Sequence, residues 1–206
     1  MRILGVAGVV LVAAGCVSAP KLAYHTLDLA AASPSQASAV NVVVDQIRAA
    51  EPLRRNEILI KKSPTEIEYY ATHQWAASLS ELVTQKLGAE FGPRDPEKDT
   101  ILVYGTLLAF EQVDTPEGAK VHVRLDVQFR PEGAGRYEEP ALEAVYENAL
   151  QQESSVAAQG ASIDETVRAV VRALSDRIGA LAANIRADAA RAQELVSKAK
   201  ESGPDS

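Results

Sequence analysis

The segment from Val121 to Phe129 constrains the fold of this chain more than any other part of its sequence. Neighbouring side chains of a β-strand point to opposite faces of a sheet, so a strand with one buried face alternates between apolar and polar residues. A sheet built around such a strand needs a cover on one face only. Here the odd-numbered positions are all apolar, and the even-numbered positions are His122, Arg124, Asp126 and Gln128.

The preceding stretch, Thr100 to Val113, is apolar on both faces, which is typical of a central strand. Together the two strands predict the middle of a sheet. We predict that Ile101, Val103 and Leu107 share one face of the first strand and that the opposite face carries Leu102, Tyr104, Leu108 and Phe110.

Shorter segments add further strands to this pair. A strand-like stretch runs from Tyr24 to Leu29, and the stretch from Val40 to Ile47 is rich in β-branched residues. Residues 57–61 and 66–70 flank the turn-like Ser63-Pro64-Thr65, so we predict a hairpin there.

Two amphipathic helices are also predicted. The first begins at Ser78, which forms a capping box with Glu81, and ends at Gly92-Pro93; the second begins at Ser162 with Glu165 as its capping partner. For the apolar stripe of the second helix we favour packing on its own sheet over a coiled-coil partner site. The stripes are Leu79, Leu82, Val83, Leu87 and Phe91 in the first helix, and Val167, Val171, Leu174, Ile178, Leu181 and Ile185 in the second.

These elements predict one α+β domain over residues 24–185, with a mainly antiparallel sheet and two principal helices packed on one face. Residues 186–206 are predicted to be a polar C-terminal tail, partly helical or disordered. The segment 141–152 stays open between strand and helix. Its periodicity alone favours a helix, because Leu142, Val145, Tyr146, Ala149 and Leu150 fit helical spacing.

The N-terminus has the layout of a secretory signal. Arg2 precedes an apolar run, Ile3 to Val12, and then Ala13-Ala14-Gly15-Cys16. The run is about half as long as the roughly 20 apolar residues that a membrane span needs, so we predict a signal peptide over residues 1–15.

Cys16 is the only cysteine of the chain, so it cannot form an intramolecular disulfide in an oxidising compartment. The small residues before it resemble the lipobox of bacterial lipoproteins. We therefore predict that Cys16 is lipidated and that residues 16–23 form a tether with a reach of roughly 25 Å. Several acyl chains would hold the domain stably at a membrane.

The charge of the chain argues against nucleic acid as a partner. The formal net charge is −7, and removal of the signal peptide, which takes away Arg2, makes it −8. An acidic surface also disfavours peripheral binding to anionic lipid, so membrane attachment is expected through the acyl anchor.

No catalytic signature is present in the sequence. It has no G-x-S-x-G elbow, and its three histidines, His25, His73 and His122, fall on a predicted strand, a predicted loop and a polar strand face. No repeated Cys/His spacing suggests zinc, and the carboxylate pair Glu138-Glu139 is typical of an acidic surface. We expect no enzyme, no cofactor and no metal site.

The stretch from Ile47 to Leu79 resembles the ABC-type transport auxiliary lipoprotein family. A strand, a proline-leucine turn at Pro52-Leu53-Arg54-Arg55, a hairpin and the tryptophan-led helix start at Trp75 follow one another in that family's order. Gln74 stands where the family usually has arginine. The resemblance extends over residues 24–185 and favours a strand for residues 141–152.

The resemblance implies a periplasm-facing accessory subunit of a lipid transport system that also contains an ABC ATPase, a permease and a mammalian-cell-entry (MCE) domain protein. Val17 follows the cysteine where aspartate would signal inner-membrane retention, which favours the outer membrane. Phospholipid binding and a homo-oligomer are further expectations. Candidate partner contacts are Arg54, Arg55, Tyr70 and Trp75.

Three hypotheses stay open for function, of which the docking subunit is favoured, and two for Trp75. The protein is either a docking subunit, a lipid carrier with an apolar pocket of several hundred Å³, or an assembly lipoprotein for another outer-membrane machine. Trp75 is either an exposed interface anchor or, the favoured interpretation, a core residue below the helix start.

Overall fold

A computed structural model describes residues 21–30, 38–135 and 138–202 of the chain. The predicted signal peptide and Cys16 lie outside the described residues. Eight strands form one curled, mixed sheet, accompanied by two α-helices. The elements are β1 Ala23–His25, β2 Asn41–Ala49, β3 Glu57–Ser63, β4 Glu66–Trp75, α1 Leu79–Phe91, β5 Thr100–Thr115, β6 Gly118–Pro131, β7 Leu142–Glu147, a 3₁₀ turn Leu150–Gln152, β8 Ala157–Ala158 and α2 Ile163–Glu201.

The long antiparallel hairpin of β5 and β6 forms the middle of the sheet. The first half of β5 pairs with β2 and its second half with β3, both in parallel. On the other side, β6 pairs antiparallel with β7 and with β8. The sheet is completed by β4, antiparallel to β3, and by β1, parallel to β4. The predicted α+β class with a mainly antiparallel sheet is confirmed.

The alternation in β6 has the predicted consequence. Its apolar side chains Val121, Val123, Leu125, Val127 and Phe129 are at most 1% exposed and belong to one core with both helices. On α2, Leu174, Ile178 and Ile185 are buried, and Val171 and Leu181 are partly buried against the same core. The two helices therefore cover one face of the sheet, as predicted.

A β-bulge in β5 changes which face Phe110 occupies. The pairing with β6 shifts register between Leu107 and Ala109, so that Leu107 pairs with Leu125 and Phe110 with Val123. Directly paired side chains lie on the same face. Phe110 therefore lies in the core with Leu107, and its predicted placement on the opposite face was wrong.

Side-chain hydroxyls and carboxylates define the helix ends and one sheet edge. The capping box of Ser162 and Glu165 is complete, and Ser78 accepts a hydrogen bond from the Glu81 N–H at 3.2 Å. In α1, Ser80 and Thr84 accept hydrogen bonds from the N–H groups of Ala49 and Ile47 in β2, at 2.9 and 3.1 Å. These bonds satisfy donors that would otherwise leave the edge of β2 open.

Three segments differ in detail from their sequence patterns. Residues 142–147 form β7, as the family resemblance favoured, because pairing with β6 outweighs the helical spacing. The first strand is shorter than the predicted stretch and ends at His25, although Leu27 beyond it is buried. Helix α2 continues to Glu201, and the small residues Ala189 and Ala192 extend its buried stripe past Ile185.

Candidate functional site

The face of the sheet opposite the helices, here called the open face, carries the polar half of the alternation in β6. Along that strand the side chains on this face are Arg124, Asp126, Gln128 and Arg130, and their neighbours on β5 include Tyr104 and Thr106. Neither α1 nor α2 covers it. The open face therefore presents hydrogen-bonding and charged groups from several strands to solvent.

Strand register aligns these groups in rows across the sheet. One row runs from Arg48 on β2 through Thr106 and Asp126 to Val145 on β7. The next row runs from Gln46 through Tyr104 and Gln128 to Glu143. Adjacent strands lie about 4.8 Å apart, so each row brings side chains of four strands within mutual reach.

These rows line a solvent-open cavity of about 830 Å³. Arg130 also lines it; this side chain is 8% exposed and donates hydrogen bonds to the carbonyl oxygens of Gly135, at 3.3 Å, and Glu138. It also donates to Gln128 Oε1 at 3.3 Å. All three acceptors are neutral, and Arg130 forms no ion pair among residues 21–30, 38–135 and 138–202.

The carboxylates of the cavity are also incompletely compensated. Asp126 Oδ1 is enclosed by protein and accepts no hydrogen bond from the described residues. Glu143 accepts one hydrogen bond, at 2.8 Å, from the Gln128 amide. A buried polar atom without a hydrogen-bond partner destabilises the folded state. Such an atom in a cavity therefore indicates a position where a ligand can supply the partner.

A second cluster on the open face is centred on His122. Its Nδ1 lies 3.1 Å from Glu111 Oε1 and its Nε2 2.8 Å from Glu147 Oε1. The hydrogen bond from Glu111 raises the pKa of His122 above its ordinary value, and Glu147 adds to the effect against the burial of the ring. Lys61, 3.8 Å from Glu111, and Arg124, 3.8 Å from Glu147, complete the network.

The structure also brings together two histidines that the sequence placed on separate segments. His25 Nε2 lies 3.0 Å from His73 Nδ1, and His73 Nε2 lies 3.2 Å from Asp164 Oδ1 at the start of α2. His73 lies on β4 and is buried, so its predicted loop position was wrong. Burial lowers the pKa of His25, and repulsion from His73 adds to that shift.

Of the four candidate partner contacts, the structure exposes two and buries two. Arg54 and Arg55 lie exposed in the turn after β2, and Arg55 stacks over the Tyr69 ring at 4.3 Å. Tyr70 is buried and donates a hydrogen bond to Gln112 Oε1 at 2.6 Å. Trp75 is 2% exposed, and its ring centroid lies 5.7 Å from that of Phe110.

Tyr70 and Trp75 thus lie in the core and offer little surface to a partner, in contrast to their predicted role as contacts. For Trp75, this is the core position that was the favoured interpretation. Contact of Arg54 and Arg55 with a partner stays a prediction. Lipidation of Cys16 stays a prediction too, because this residue lies outside the described part of the chain.

Two further observations concern metal sites and membranes. Among the described residues, no group of three or more His, Cys, Asp or Glu side chains is arranged to hold a metal ion. Within the same residues, neither helix is apolar enough over a sufficient length to cross a bilayer.

Comparison with known proteins identifies the family. The model of a family described as the ABC-type transport auxiliary lipoprotein component matches residues 25–186. The chain belongs to this family. No curated protein matches the chain.

Two crystal structures have the same fold as this family member. One is of a Xanthomonas campestris protein assigned to the DUF330 family, with 11% identity and a TM-score of 0.61 over 85% of this chain and 99% of that one. The other is of an uncharacterized protein, with 17% identity and a TM-score of 0.54 over 82% of this chain and 98% of that one. At these identities the likeness establishes the fold alone.

Sequence reasoning found part of the open face and missed the rest. The alternation in β6 identified Asp126 and Gln128 as polar-face residues, and Arg130 continues the same pattern. Arg48 and Glu143 had no local signal, because only the pairing of β2 with β5 and of β7 with β6 brings them to the cavity.

Proposed function

We propose that the protein is a membrane-anchored periplasmic accessory lipoprotein of an ABC-type lipid transport system. It acts by docking on the MCE-domain protein and the permease–ATPase complex, and so contributes to the integrity of the cell envelope. The observation that carries this proposal is the match to the auxiliary lipoprotein family over residues 25–186.

The geometry of the open face supports docking. The open face presents ion-paired and hydrogen-bonded side chains across four strands, and Arg54 and Arg55 project from a nearby turn. Charged and polar groups in this arrangement favour specific, electrostatically guided association.

A short tether supports action close to one membrane. If Cys16 is acylated, the residues between it and β1 at Ala23 span roughly 25 Å at most when extended. We propose the outer membrane, with the domain facing the periplasm, because Val17 replaces the aspartate of inner-membrane retention signals.

The cavity of about 830 Å³ bears on the alternative of an acyl-chain carrier. It is large enough for part of a lipid, but its lining includes Arg48, Arg130, Asp126 and Glu143, and it is open to solvent. Acyl chains need apolar, enclosed surroundings. The lining therefore favours docking, or contact with polar groups, over carriage of acyl chains.

Co-purification tests the docking function. The tagged full-length protein is extracted from membranes in mild detergent, and co-purifying proteins are identified by mass spectrometry; we expect the ATPase, the permease and the MCE-domain protein. Arg124→Glu on the open face and the double variant Arg54→Glu/Arg55→Glu test the two candidate surfaces, and Arg172→Glu on the exposed side of α2 is the matched control. Recovery of no transport subunit with the unmodified protein would contradict the proposal.

A separate experiment tests the anchor. Mass spectrometry of the mature N-terminus should find an acylated Cys16 without the preceding peptide. Density-gradient separation should then place the protein with outer-membrane markers. An unmodified Cys16 or an intact Met1 would exclude lipidation.

A further inference from the structure

We propose, on the basis of the lipid-transport function above, that the cavity on the open face binds the head group of a zwitterionic phospholipid. The ligand class is a phosphate diester that carries a protonated amine, of which glycerophosphoethanolamine is a simple example.

The cationic part of the site consists of Arg48 and Arg130. Arg130 is 8% exposed, and within the described part of the chain its guanidinium has only neutral acceptors: two backbone carbonyls and the Gln128 amide. Arg48 is exposed and donates a hydrogen bond to Gln46 Oε1 at 3.2 Å. A buried guanidinium that has no carboxylate partner favours the binding of an anion. Its planar array of N–H donors matches the geometry of phosphate oxygens.

The anionic part consists of Asp126 and Glu143. Asp126 Oδ1 is enclosed and accepts no hydrogen bond from the described residues, so this carboxylate oxygen has no donor on the protein side. The hydrogen bond that Glu143 accepts comes from the neutral Gln128 amide, at 2.8 Å. Among the described residues neither carboxylate forms an ion pair, which leaves both to attract a cation from the cavity.

The balance of these charges selects the ligand class. Two guanidinium groups and two carboxylates line the same space, so the lining is neutral overall but charged locally. A zwitterion can satisfy both signs at once. A head group with phosphate alone would place its negative charge near two carboxylates that it cannot compensate, and like charges in proximity are unfavourable.

Neutral groups around the charges fit a head group as well. Tyr104, Thr106 and Gln128 line the floor and offer hydrogen-bond donors and acceptors. Val145 lies at the β7 side and is 59% exposed, which provides an apolar surface beside the polar floor. A glycerol backbone leaving the site across Val145 would keep its acyl chains outside the cavity.

Titration with water-soluble head groups tests the proposal. The mature acylated protein, exchanged into dodecyl maltoside to remove phospholipid, is titrated with glycerophosphoethanolamine, glycerophosphoglycerol and inorganic phosphate, and binding is followed by NMR. We expect glycerophosphoethanolamine to bind at least about tenfold more tightly than either other ligand, because it alone meets both charge signs. Lipids retained before the exchange should be enriched in ethanolamine head groups by mass spectrometry.

Three variants assign the binding to this cavity. Arg48→Gln should weaken binding of glycerophosphoethanolamine by about tenfold, and Glu143→Gln should reduce its preference over glycerophosphoglycerol by a similar factor. Arg124→Gln removes the same charge from the same face of the sheet, outside the cavity lining, and should leave binding unchanged. All three residues are exposed, so each variant is expected to fold.

Different results would overturn the head-group proposal and the docking function. Equal binding of the three ligands, binding of inorganic phosphate alone, or equal effects of Arg48→Gln and Arg124→Gln would overturn the proposal. Co-purification of transport subunits is scored on separate samples. Loss of head-group selectivity with those subunits present would overturn this inference and leave the docking function in place, whereas selectivity without transport subunits would overturn the docking function.

Discussion

The helix-covered face and the open face are made by the same strands, yet different interactions stabilise them. In β6, Val123, Leu125 and Phe129 are buried against the helices, whereas Arg124 and Asp126, their neighbours in sequence, lie on the open face. The covered face is held by close packing of apolar side chains. The open face is held by hydrogen bonds and ion pairs that compete with water.

This difference between the faces assigns stability mainly to the covered face and recognition to the open face. Removing a buried side chain costs the transfer free energy and leaves a cavity, whereas an exposed ion pair contributes about 0–1 kcal/mol. The open face can therefore hold charged groups that form no ion pair with the described residues, such as Arg130 and Asp126, because the core on the other face stabilises the sheet. Substitutions on the two faces should separate these roles.

The largest expected effect is that of Trp75→Ala. Its indole is buried against Phe110, so truncation should lower the free energy of unfolding by about 3–5 kcal/mol. Urea denaturation measures this loss, and Tyr104→Ala is the matched aromatic truncation on the open face. A loss for Tyr104→Ala as large as that for Trp75→Ala would break the comparison between the faces.

Gly105→Ala should have the next largest effect. A Cβ at Gly105 would lie 2.8 Å from the Asp126 carbonyl oxygen and 2.9 Å from Ile47 Cδ1, so we expect destabilisation of about 1–3 kcal/mol. Gly88→Ala in α1 is the control: its Cβ would meet nothing within 4 Å, and alanine should stabilise the helix by about 0.5–1 kcal/mol. Thermal unfolding of both variants tests whether the first is less stable and the second more stable than the unmodified protein.

On the open face, His122 should make stability depend on pH. Its pKa is raised by Glu111 and Glu147, so the folded state holds the proton more tightly than the unfolded state, whose pKa is near 6.5. This stabilisation is complete below that value and is lost as the pH rises through the folded pKa. The difference in unfolding free energy between the unmodified protein and His122→Gln should therefore shrink as the pH rises above about 6.5.

His25 provides the contrast to His122 at the far edge of the sheet. Its pKa is lowered by burial and by His73, so its contribution changes in the opposite direction: stability falls as the pH drops below 6.5. The parallel variant His25→Gln should lose this acid sensitivity. If the free energy of unfolding of His122→Gln and of His25→Gln depended on pH in the same way, the opposite pKa shifts of the two histidines would be contradicted.

The smallest expected effect is that of Arg48→Gln on stability. Arg48 is exposed, and its one hydrogen bond among the described residues is to Gln46, so the free energy of unfolding should change by no more than about 0.5 kcal/mol. The same variant is expected to weaken head-group binding about tenfold. A large decrease in the free energy of unfolding would show that the polar side chains of the open face stabilise the fold, contrary to this comparison.

Several features of this protein follow from the sequence alone. The strict alternation in residues 121–129 required one covered face, and the capped, amphipathic helices at Ser78 and Ser162 supplied the cover. These patterns are local, because side-chain direction in strands and helices repeats over two and about 3.6 residues. The family resemblance favoured a strand within residues 141–152, which periodicity alone did not favour, and residues 142–147 form one.

Only the tertiary structure decided the rest. The bulge after Leu107 moved Phe110 into the core, and the pairing of distant strands brought Arg48, Asp126 and Glu143 to one cavity and His25 to His73. Strand register depends on which distant segments pair, and a shift of one residue turns every side chain to the other face. The sequence therefore determined that one face of the sheet is exposed to solvent, whereas the strand register determined which residues meet on this open face.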